Sequence, residues 1–558
     1  MKQPVPLRES QIADAFRNRP FQKTATMFAV RNRHVLIADQ PGLGKTLESI
    51  AAVVQDGAHG SVLVVAPKTA VHVTWEPELR QWLSDVAPGD VIRTITGEDD
   101  KAGRIATLRK TLLWHRDYAL GERTGRQWIL TTPNYLRYKY KLDDNSKFVY
   151  DENGDKITLP IREAMLGFLA VHWSAIIVDE AHQTLAGAHG DIKKQSGQSR
   201  GLRMLSSDSG GTGLRIALSG TPFRGKRENI WGILNWLKPK QYTSYWNWVG
   251  QHFFQYTDPV YGMLVISDIR SERDLNKELG NLMIRRTKKE VAKDLPPKAY
   301  GGTRLDPSNP KSPVSVWLPM TKEQKRAYDD MVATAMTKLE GGTLVANGVL
   351  AEIIRLKQFA NSGGYLDDNG VFNPALPSNK FEWLVEFLRE RGIDGKGPGD
   401  SKVLVASQFT KHLFLFEEEL NKLGISTFSL HGGVPAQARV QMQQAFQSNS
   451  MKSYGEDCPA PDVFLFNTKA GGVAITLDAA DDVVIVDQTP VPDDQEQVED
   501  RAHRISRTDH NVNIWNLASL GTVDESIAKA NSEMGLSLAQ ILDGARGVDI
   551  AIKLLQGS

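Results

Sequence analysis

Two short clusters in this chain carry residue types suited to phosphate chemistry. The first, Asp39 to Thr46, reads DQPGLGKT and stands between the apolar run HVLIAD and the helix-forming LESIAAVV. Strand, glycine-rich loop and helix in that order cradle an anion. Gly42 and Gly44 let the backbone curl so that its amides and the helix N-terminus face phosphate, Lys45 meets the β and γ charges, and the Thr46 hydroxyl ligates magnesium. The second cluster, Asp179 to His182, reads DEAH and ends the apolar run AIIV, where open α/β sheets bind ligands. Asp179 is suited to hold Mg2+ through water and Glu180 to polarise an attacking water, the division of labour phosphoryl transfer requires. Alone, a ligand-free βα turn accounts for the loop and a macrodipole-stabilised helix N-terminus for the acidic pair. Together they point to Mg-ATP, and no HExxH or Cys/His cluster competes as a metal site.

The elements that must position these groups are legible as a pattern. Short β-branched runs ending in small or polar residues recur: HVLIAD, SVLVVAP, WILTTP, AIIVDE and LRIALSG, then KVLVAS, VFLFNT and DVVIVD. Each reads as a buried parallel strand feeding a loop. Amphipathic stretches such as Ile12 to Asn32 and Lys411 to Leu423 lie between them, so the fold class is α/β with doubly wound parallel sheets. The alternation occurs twice, from about Val35 to Leu237 and from about Lys402 to Ser519, around a helical middle rich in Lys, Glu, Gln and Ala. Asp306 to Pro313 and Arg391 to Ser401 read as exposed connectors, and Phe148 to Leu159 as an inserted β-hairpin.

At 558 residues the chain exceeds one hydrophobic core. Its 41% hydrophobic and 24% charged residues are ordinary globular composition, and no run approaches the roughly 18 uncharged apolar residues of a membrane span. The opening MKQPVPLRESQIADAF lacks the pattern of a secretory leader, and Cys458 is the single cysteine, so no intrachain disulfide forms and a reducing intracellular setting is expected. A net charge of +1 decides nothing about a polyanionic partner, because nucleic-acid surfaces are local.

Further segments carry a resemblance. MIRRTKKEVAKDLPPK (Met283 to Lys298), NTKAGGVAITLDAADDVVIVD (from Asn467) and QEQVEDRAHRISRT (Gln495 to Thr508) resemble superfamily-two helicases and, within them, the Swi/Snf family. Other motifs follow in family order: RPFQ at Arg19, APKTAVHVTWEPEL at Ala66, LTTPNYL at Leu130, LSGTPFRGKRENIWGILNWL at Leu218, VLVASQF at Val403 and LHGGVPAQAR at Leu430. Asp39 stands where the general phosphate-loop pattern has glycine, which fits the helicase variant of that loop better than the strict form.

The resemblance implies two RecA-like lobes with inserted helical protrusions: residues 1–237 as lobe one, 238–282 as a protrusion, 283–314 as linker, 315–378 as a second protrusion, 379–522 as lobe two and 523–558 as a C-terminal helical segment. It places Arg19, Gln22, Asp39, Gln40, Pro41 and Leu43 at the nucleotide with the loop residues already named. His182, Ser219 and Thr221 become the residues coupling ATP to DNA. Gln497, Arg501 and Arg504 become catalytic groups, the arginines being fingers that reach the γ-phosphate across the cleft; their spacing of three puts them on one face of a helix. Outside the motif they would read as solvated arginines or partners of Glu499 and Asp500. DNA contacts are expected at Lys68, Thr69, Thr132 and Asn134 in lobe one, and at Ser407, Gln408, His431, Gly432, Thr468 and Lys469 in lobe two, through phosphate oxygens and without base reading. The basic run Arg285 to Lys293 reads equally as a phosphate contact or a solvated linker face. Trp75, Trp82, Trp231 and Trp236 read as core packing.

The expected function is therefore a DNA-dependent ATPase that translocates on double-stranded DNA as a monomeric motor, with ATP and Mg2+, no membrane partner, and no readable protein partner. Two alternatives are a fork-remodelling, annealing or strand-separating helicase, which would use the same motor residues, and a nucleotide-gated scaffold, against which the complete set of ATP-site residues argues. The setting would be cytoplasmic in a bacterial or viral source and nuclear in a eukaryote.

Overall fold

The computed structural model describes residues 6–534 apart from 98–99, 139–140, 142, 144–148, 153–156, 158–162, 186–194, 206–212, 223–226, 258–263, 341–345, 469–474, 490–491 and 505–510. The chain forms two compact units, Met1–Tyr256 with Ile266–Lys293, and Thr257–Val265 with Asp294–Ser558.

The N-terminal unit is built on a seven-stranded sheet of β1 (His34–Ile37), β2 (Gly60–Val65), β3 (Val91–Ile95), β4 (Arg126–Thr131), β5 (Trp173–Val178), β6 (Leu214–Leu218) and β7 (Met283–Ile284), in the spatial order β3-β4-β2-β5-β6-β1-β7. Every pairing in it is parallel. Every residue of β2 and β4 is buried, because parallel strands are covered by helices on both faces, which is why they read as continuous apolar runs. Trp173, Trp231 and Trp236 fill one apolar cluster that also takes in Tyr245, Trp248 and Phe253 from the 238–282 segment.

Two helices precede this sheet. The amphipathic stretch expected as one element from Ile12 to Asn32 is two, α1 (Gln11–Asn18) and α2 (Pro20–Asn32). Pro20 cannot donate into a preceding turn and disfavours helical geometry at Arg19, so it opens a second helix instead.

The C-terminal unit carries an eight-stranded sheet of β8 (Lys298–Gly301), β9 (Thr303–Arg304), β10 (Val314–Leu318), β11 (Val403–Ser407), β12 (Thr427–Leu430), β13 (Val463–Asn467), β14 (Asp482–Ile485) and β15 (Val512–Ser519). The order is β9-β10-β15-β14-β11-β13-β12 with β8 also beside β15, all parallel except the β9–β10 pair. Alternation along β11 divides its side chains between two clusters, Leu404 and Ala406 on one face and Val403 and Val405 on the other. Each such fully buried Val or Leu is worth about 1.5–3 kcal/mol over an exposed one. Asp306 to Pro313 forms the loop of the β9–β10 hairpin and is mostly exposed.

The eight runs expected as strands are all strands, and the two large sheets are parallel apart from the β9–β10 pair, with flanking helices, the α/β architecture expected. Lys322–Glu340 and Ala346–Asn361 are helices whose apolar side chains meet Val523 and Ile527 of the helix Val523–Met534. Most of the hairpin expected at Phe148 to Leu159 lies outside the described residues. No described helix is long and apolar enough to cross a membrane.

Candidate active site

In the N-terminal unit β1 runs into the loop Ala38 to Gly44, and α3 (Lys45–Gln55) leaves it. Gly42 and Gly44 have φ of 86° and 94°, a region costly for a side chain. At Gly44 space also forbids one: an added Cβ would lie 2.2 Å from Nε2 of Gln22. That amide donates to the Leu43 carbonyl at 2.9 Å, so Gln22, expected at the nucleotide, braces the loop backbone here. Lys45 Nζ donates to the main-chain carbonyl of Asp39 at 2.7 Å, which holds the ammonium across the loop. The Asp39 carboxylate is fully buried and paired with Arg286, which also reaches Glu48 at 3.1 Å. Burial, then the neighbouring charge of Asp39, pushes the Glu48 carboxyl well above the usual range, against the pull of Arg286 and Lys45.

Two other segments close on the loop. Gly220 packs so tightly that an added Cβ would stand 2.7 Å from Cγ of Pro41, and its carbonyl accepts from Arg285 Nη1 at 3.2 Å. Gln40 accepts at its side-chain oxygen from the Lys288 amide at 2.7 Å. Arg19 lies beside a cavity of about 280 Å³ lined by Gln11, Ala15, Asn18, Arg19 and Trp82, and burial lowers the pKa of its guanidinium.

The acidic pair sits at the end of β5, whose partner β2 supplies the Val65 carbonyl to the Asp179 amide at 2.8 Å. Oδ1 of Asp179 accepts from the Glu180 amide and Oδ2 from the indole N–H of Trp75, both at 2.9 Å. Burial first, and the Glu180 charge second, push the Asp179 carboxyl up to about 6, while the Trp75 hydrogen bond and Lys45 oppose the rise. Glu180 occupies a left-handed backbone conformation, φ 45°, strain of a kind that clusters at functional sites.

Beyond it His182 Nδ1 lies 2.9 Å from Ser219 Oγ and 3.4 Å from Glu180 Oε2, and Ser219 Oγ accepts from the Thr221 amide at 3.2 Å. The three residues implied for coupling are thus one connected chain that starts at Glu180.

In the C-terminal unit, α4 (Pro492–Glu499) carries Gln497 and stops before the arginines. Arg501 and Arg504 therefore lie in the turn after the helix rather than on its face. There the Arg501 carbonyl accepts from the Leu477 amide at 3.0 Å, which ties the segment after the helix to a distant part of the unit. The arginines still converge, since Arg501 Nη1 and Arg504 Nη2 donate to the same Ile475 carbonyl at 3.2 and 3.3 Å. Glu499 and Asp500 are bridged by Lys298, at 2.8 and 3.0 Å.

The residues expected at DNA occupy strand ends and loops of both units. Lys68 is exposed at the head of a short helix, Thr69 and Thr132 are buried, and the exposed Asn134 accepts from Gln198 at 2.8 Å. The buried Ser407 hydroxyl donates to Asp487, and the Gln408 amide donates to the same carboxylate at 3.2 Å. His431 packs edge-on to Phe414, Gly432 is exposed and Thr468 is buried, while Lys469 lies outside the described residues.

Two residues of the site were read differently in the sequence. Trp75 was assigned to packing and is indeed buried, yet its indole N–H holds Asp179; a buried indole needs a polar partner, and that was the available signal. Arg286 belongs to the run read equally as a phosphate contact or a solvated linker face, and its guanidinium pairs with Asp39 of the loop Ala38 to Gly44. A buried Asp39 in place of glycine demanded a cation, the clue to it.

Known proteins align with this arrangement. The SNF2-related domain matches residues 21–364 and the helicase conserved C-terminal domain residues 379–506. The human SWI/SNF-related matrix-associated actin-dependent regulator of chromatin subfamily A member 1 is 24% identical over 524 residues, 91% of this chain and 41% of that protein. Nuclear protein STH1/NPS1 of Saccharomyces cerevisiae is 25% identical over 526 residues, 90% of this chain and 33% of its own length. Chromodomain-helicase-DNA-binding protein 1 of Gallus gallus is 26% identical over 509 residues, 88% and 24%. The chain thus spans less than half the length of each. The Sulfolobus solfataricus SWI2/SNF2 ATPase core, solved with double-stranded DNA and as the core domain, aligns at 21% and 20% identity over 96% and 99% of this chain, and 96% and 98% of those chains, with a TM-score of 0.36 in both cases. Because the SNF2-related domain alone accounts for residues 21–364, more than half the sequence, and the helicase C-terminal domain follows it, this chain belongs to the SNF2-related family.

Proposed function

We propose that the chain is a DNA-dependent ATPase that translocates along double-stranded DNA by hydrolysing Mg-ATP between its two lobes. The observation that carries this reading is the connected run Asp179, Glu180, His182, Ser219 and Thr221 in the N-terminal unit, with Lys45 close enough to act on Asp179 through its charge. It joins a metal-suited carboxylate, lying beside a cation suited to phosphate, to a relay that leads away from the reacting atoms. The names of relatives add DNA: chromodomain-helicase-DNA-binding protein 1 is one of them.

Magnesium fits the donors present. A carboxyl pushed up to about 6 is held in an environment that disfavours its charge, and a divalent cation shared with the Thr46 hydroxyl would remove that penalty. When bound, the ion supplies charge neutralisation at the β and γ oxygens. Lys45 transfers its donor bonds from the Asp39 carbonyl to phosphate, Glu180 orients the attacking water, and Trp75 fixes the Asp179 carboxylate. Arg501 and Arg504 supply positive charge to the transition state when the lobes close, so that hydrolysis depends on closure. His182, linked to Ser219, carries the state of Glu180 to Ser219 and Thr221, the residues implied in coupling to DNA.

Hydrolysis rates measured with duplex, single-stranded, forked and RNA substrates test the reading. Duplex is expected to stimulate most, with triplex displacement and without strand separation. Unwinding without triplex release would favour a strand-separating helicase, and absence of hydrolysis at saturating DNA a nucleotide-gated scaffold.

A further inference from the structure

The segment after the 238–282 region does not leave the N-terminal unit as a free connector. β7 extends the sheet alongside β1, the strand that feeds the phosphate loop, and the pairing continues past the strand: Leu36 donates to Leu282 at 2.7 Å, Ala38 to Ile284 at 2.7 Å and Gln40 to Arg286 at 3.0 Å. The main chain of 282–286 therefore follows β1 into the loop itself.

From that position one side chain gathers three parts of the nucleotide site. The Arg286 backbone amide and Nε donate to Asp39 Oδ1 at 2.9 and 3.1 Å, and Nη2 donates to Asp39 Oδ2 and, at 3.1 Å, to Glu48 Oε1. Nη1 donates to the Phe21 carbonyl, and the guanidinium lies 5.3 Å from the centre of the Phe21 ring. Asp39 opens the loop, Glu48 is on the helix that leaves it, and Phe21 adjoins Gln22, which braces Leu43. Both carboxylates are fully buried. Removing the guanidinium would leave two buried acids facing each other, a strongly unfavourable arrangement. Lysine would restore the charge but not the planar fork that bonds Asp39 twice.

We propose that Arg286 is a positioning residue for nucleotide binding: it fixes the phosphate loop through Asp39, whose main-chain carbonyl holds Lys45, and so makes ATP affinity depend on the docking of residues 282–288 along β1. This rests on the reading of the loop as an ATP site. The segment joining that unit to residue 294 thereby has a direct mechanical hold on the loop.

The test uses the full chain, with binding of a fluorescent ATP analogue and KM and kcat for ATP, beside thermal unfolding without nucleotide. Arg286→Gln is expected to raise Kd and KM by about tenfold or more, as loss of a buried charge-assisted contact does, with a much smaller change in kcat. Arg286→Lys, the milder variant, is expected to raise KM by a smaller factor and carries the test if Arg286→Gln does not fold. In a double-mutant cycle, Asp39→Asn should cost far less affinity in the Arg286→Gln background than alone. Native KM and Kd in a folded Arg286→Gln, or a loss confined to melting temperature and to kcat in both variants, overturns the proposal. Lys45→Ala separates the two levels: if it binds the analogue like the native chain, the ATP-site reading itself fails, whereas lost binding in Lys45→Ala with native binding in the Arg286 variants defeats only this inference.

Discussion

The indole N–H of Trp75 donates to Oδ2 of Asp179 at 2.9 Å, across 104 residues of sequence. Trp75 ends a π-helical stretch, Val71–Trp75, whose wider turn precedes the helix Glu76–Val86. Such turns re-aim a side chain and are frequent at functional sites.

Trp75→Phe keeps the ring and removes the donor that favours ionised Asp179. The carboxyl, already pushed up to about 6, rises further, because a hydrogen bond to the charged form has been lost. Protonation below that value competes with Mg2+. The Mg2+ concentration for half-maximal hydrolysis should therefore be higher near pH 6 than near pH 8, and the difference should widen by about tenfold in Trp75→Phe. Mg2+ titrations of the ATPase rate at the two pH values check this.

Lys45→Ala is expected to abolish hydrolysis, since it removes the cation proposed to meet the phosphates. Glu180→Gln should bind ATP and yet turn over at least about a hundredfold more slowly, since the amide keeps the size of the side chain but cannot polarise water. Nucleotide binding and single-turnover hydrolysis on the same preparations separate the two outcomes.

Arg504→Ala removes one of the two guanidinium groups that meet at the Ile475 carbonyl. If it is a finger, hydrolysis falls by at least about a hundredfold while affinity for duplex DNA holds. Fluorescence anisotropy with a labelled duplex, beside the ATPase assay, reads both. Normal hydrolysis in this variant would remove Arg504 from the catalytic set.

His412 gives the C-terminal unit a stability that depends on pH. It is fully buried, stacked on Phe372 at 5.4 Å, with Nε2 3.1 Å from the Gln358 carbonyl. Burial holds its pKa down to about 3, against the pull of that carbonyl. An unfolded histidine titrates near about 6.5, so between that pH and about 3 the unfolded chain binds a proton the folded one refuses. The stabilisation is complete above the unfolded value and is lost as pH falls, by up to about 1.4 kcal/mol per pH unit. Urea unfolding of the full chain at about pH 7 and about pH 5 should show this loss, and His412→Phe should lessen it.

How far each feature was legible follows from the range of the interactions that make it. The phosphate loop, the acidic pair and eight strands stood out because each is written in adjacent residues: glycines at the required φ, a β-branched run buried on both faces, acids at a strand's end. Convergence of Arg501 and Arg504 was expected from their spacing on a helical face, but the helix ends at Glu499 and they converge instead on the Ile475 carbonyl. Asp39 was placed among the loop residues facing nucleotide, whereas its side chain turns to an arginine 247 positions away. The partners of Trp75 and Ser407 likewise lie just past the ends of distant strands, and Arg286 also reaches Glu48 on a distant helix. Residue types and local geometry were thus determined by the sequence itself. Which buried donor meets which buried acceptor was decided only by the tertiary structure, because the order and register of parallel strands choose those neighbours and no local pattern encodes them.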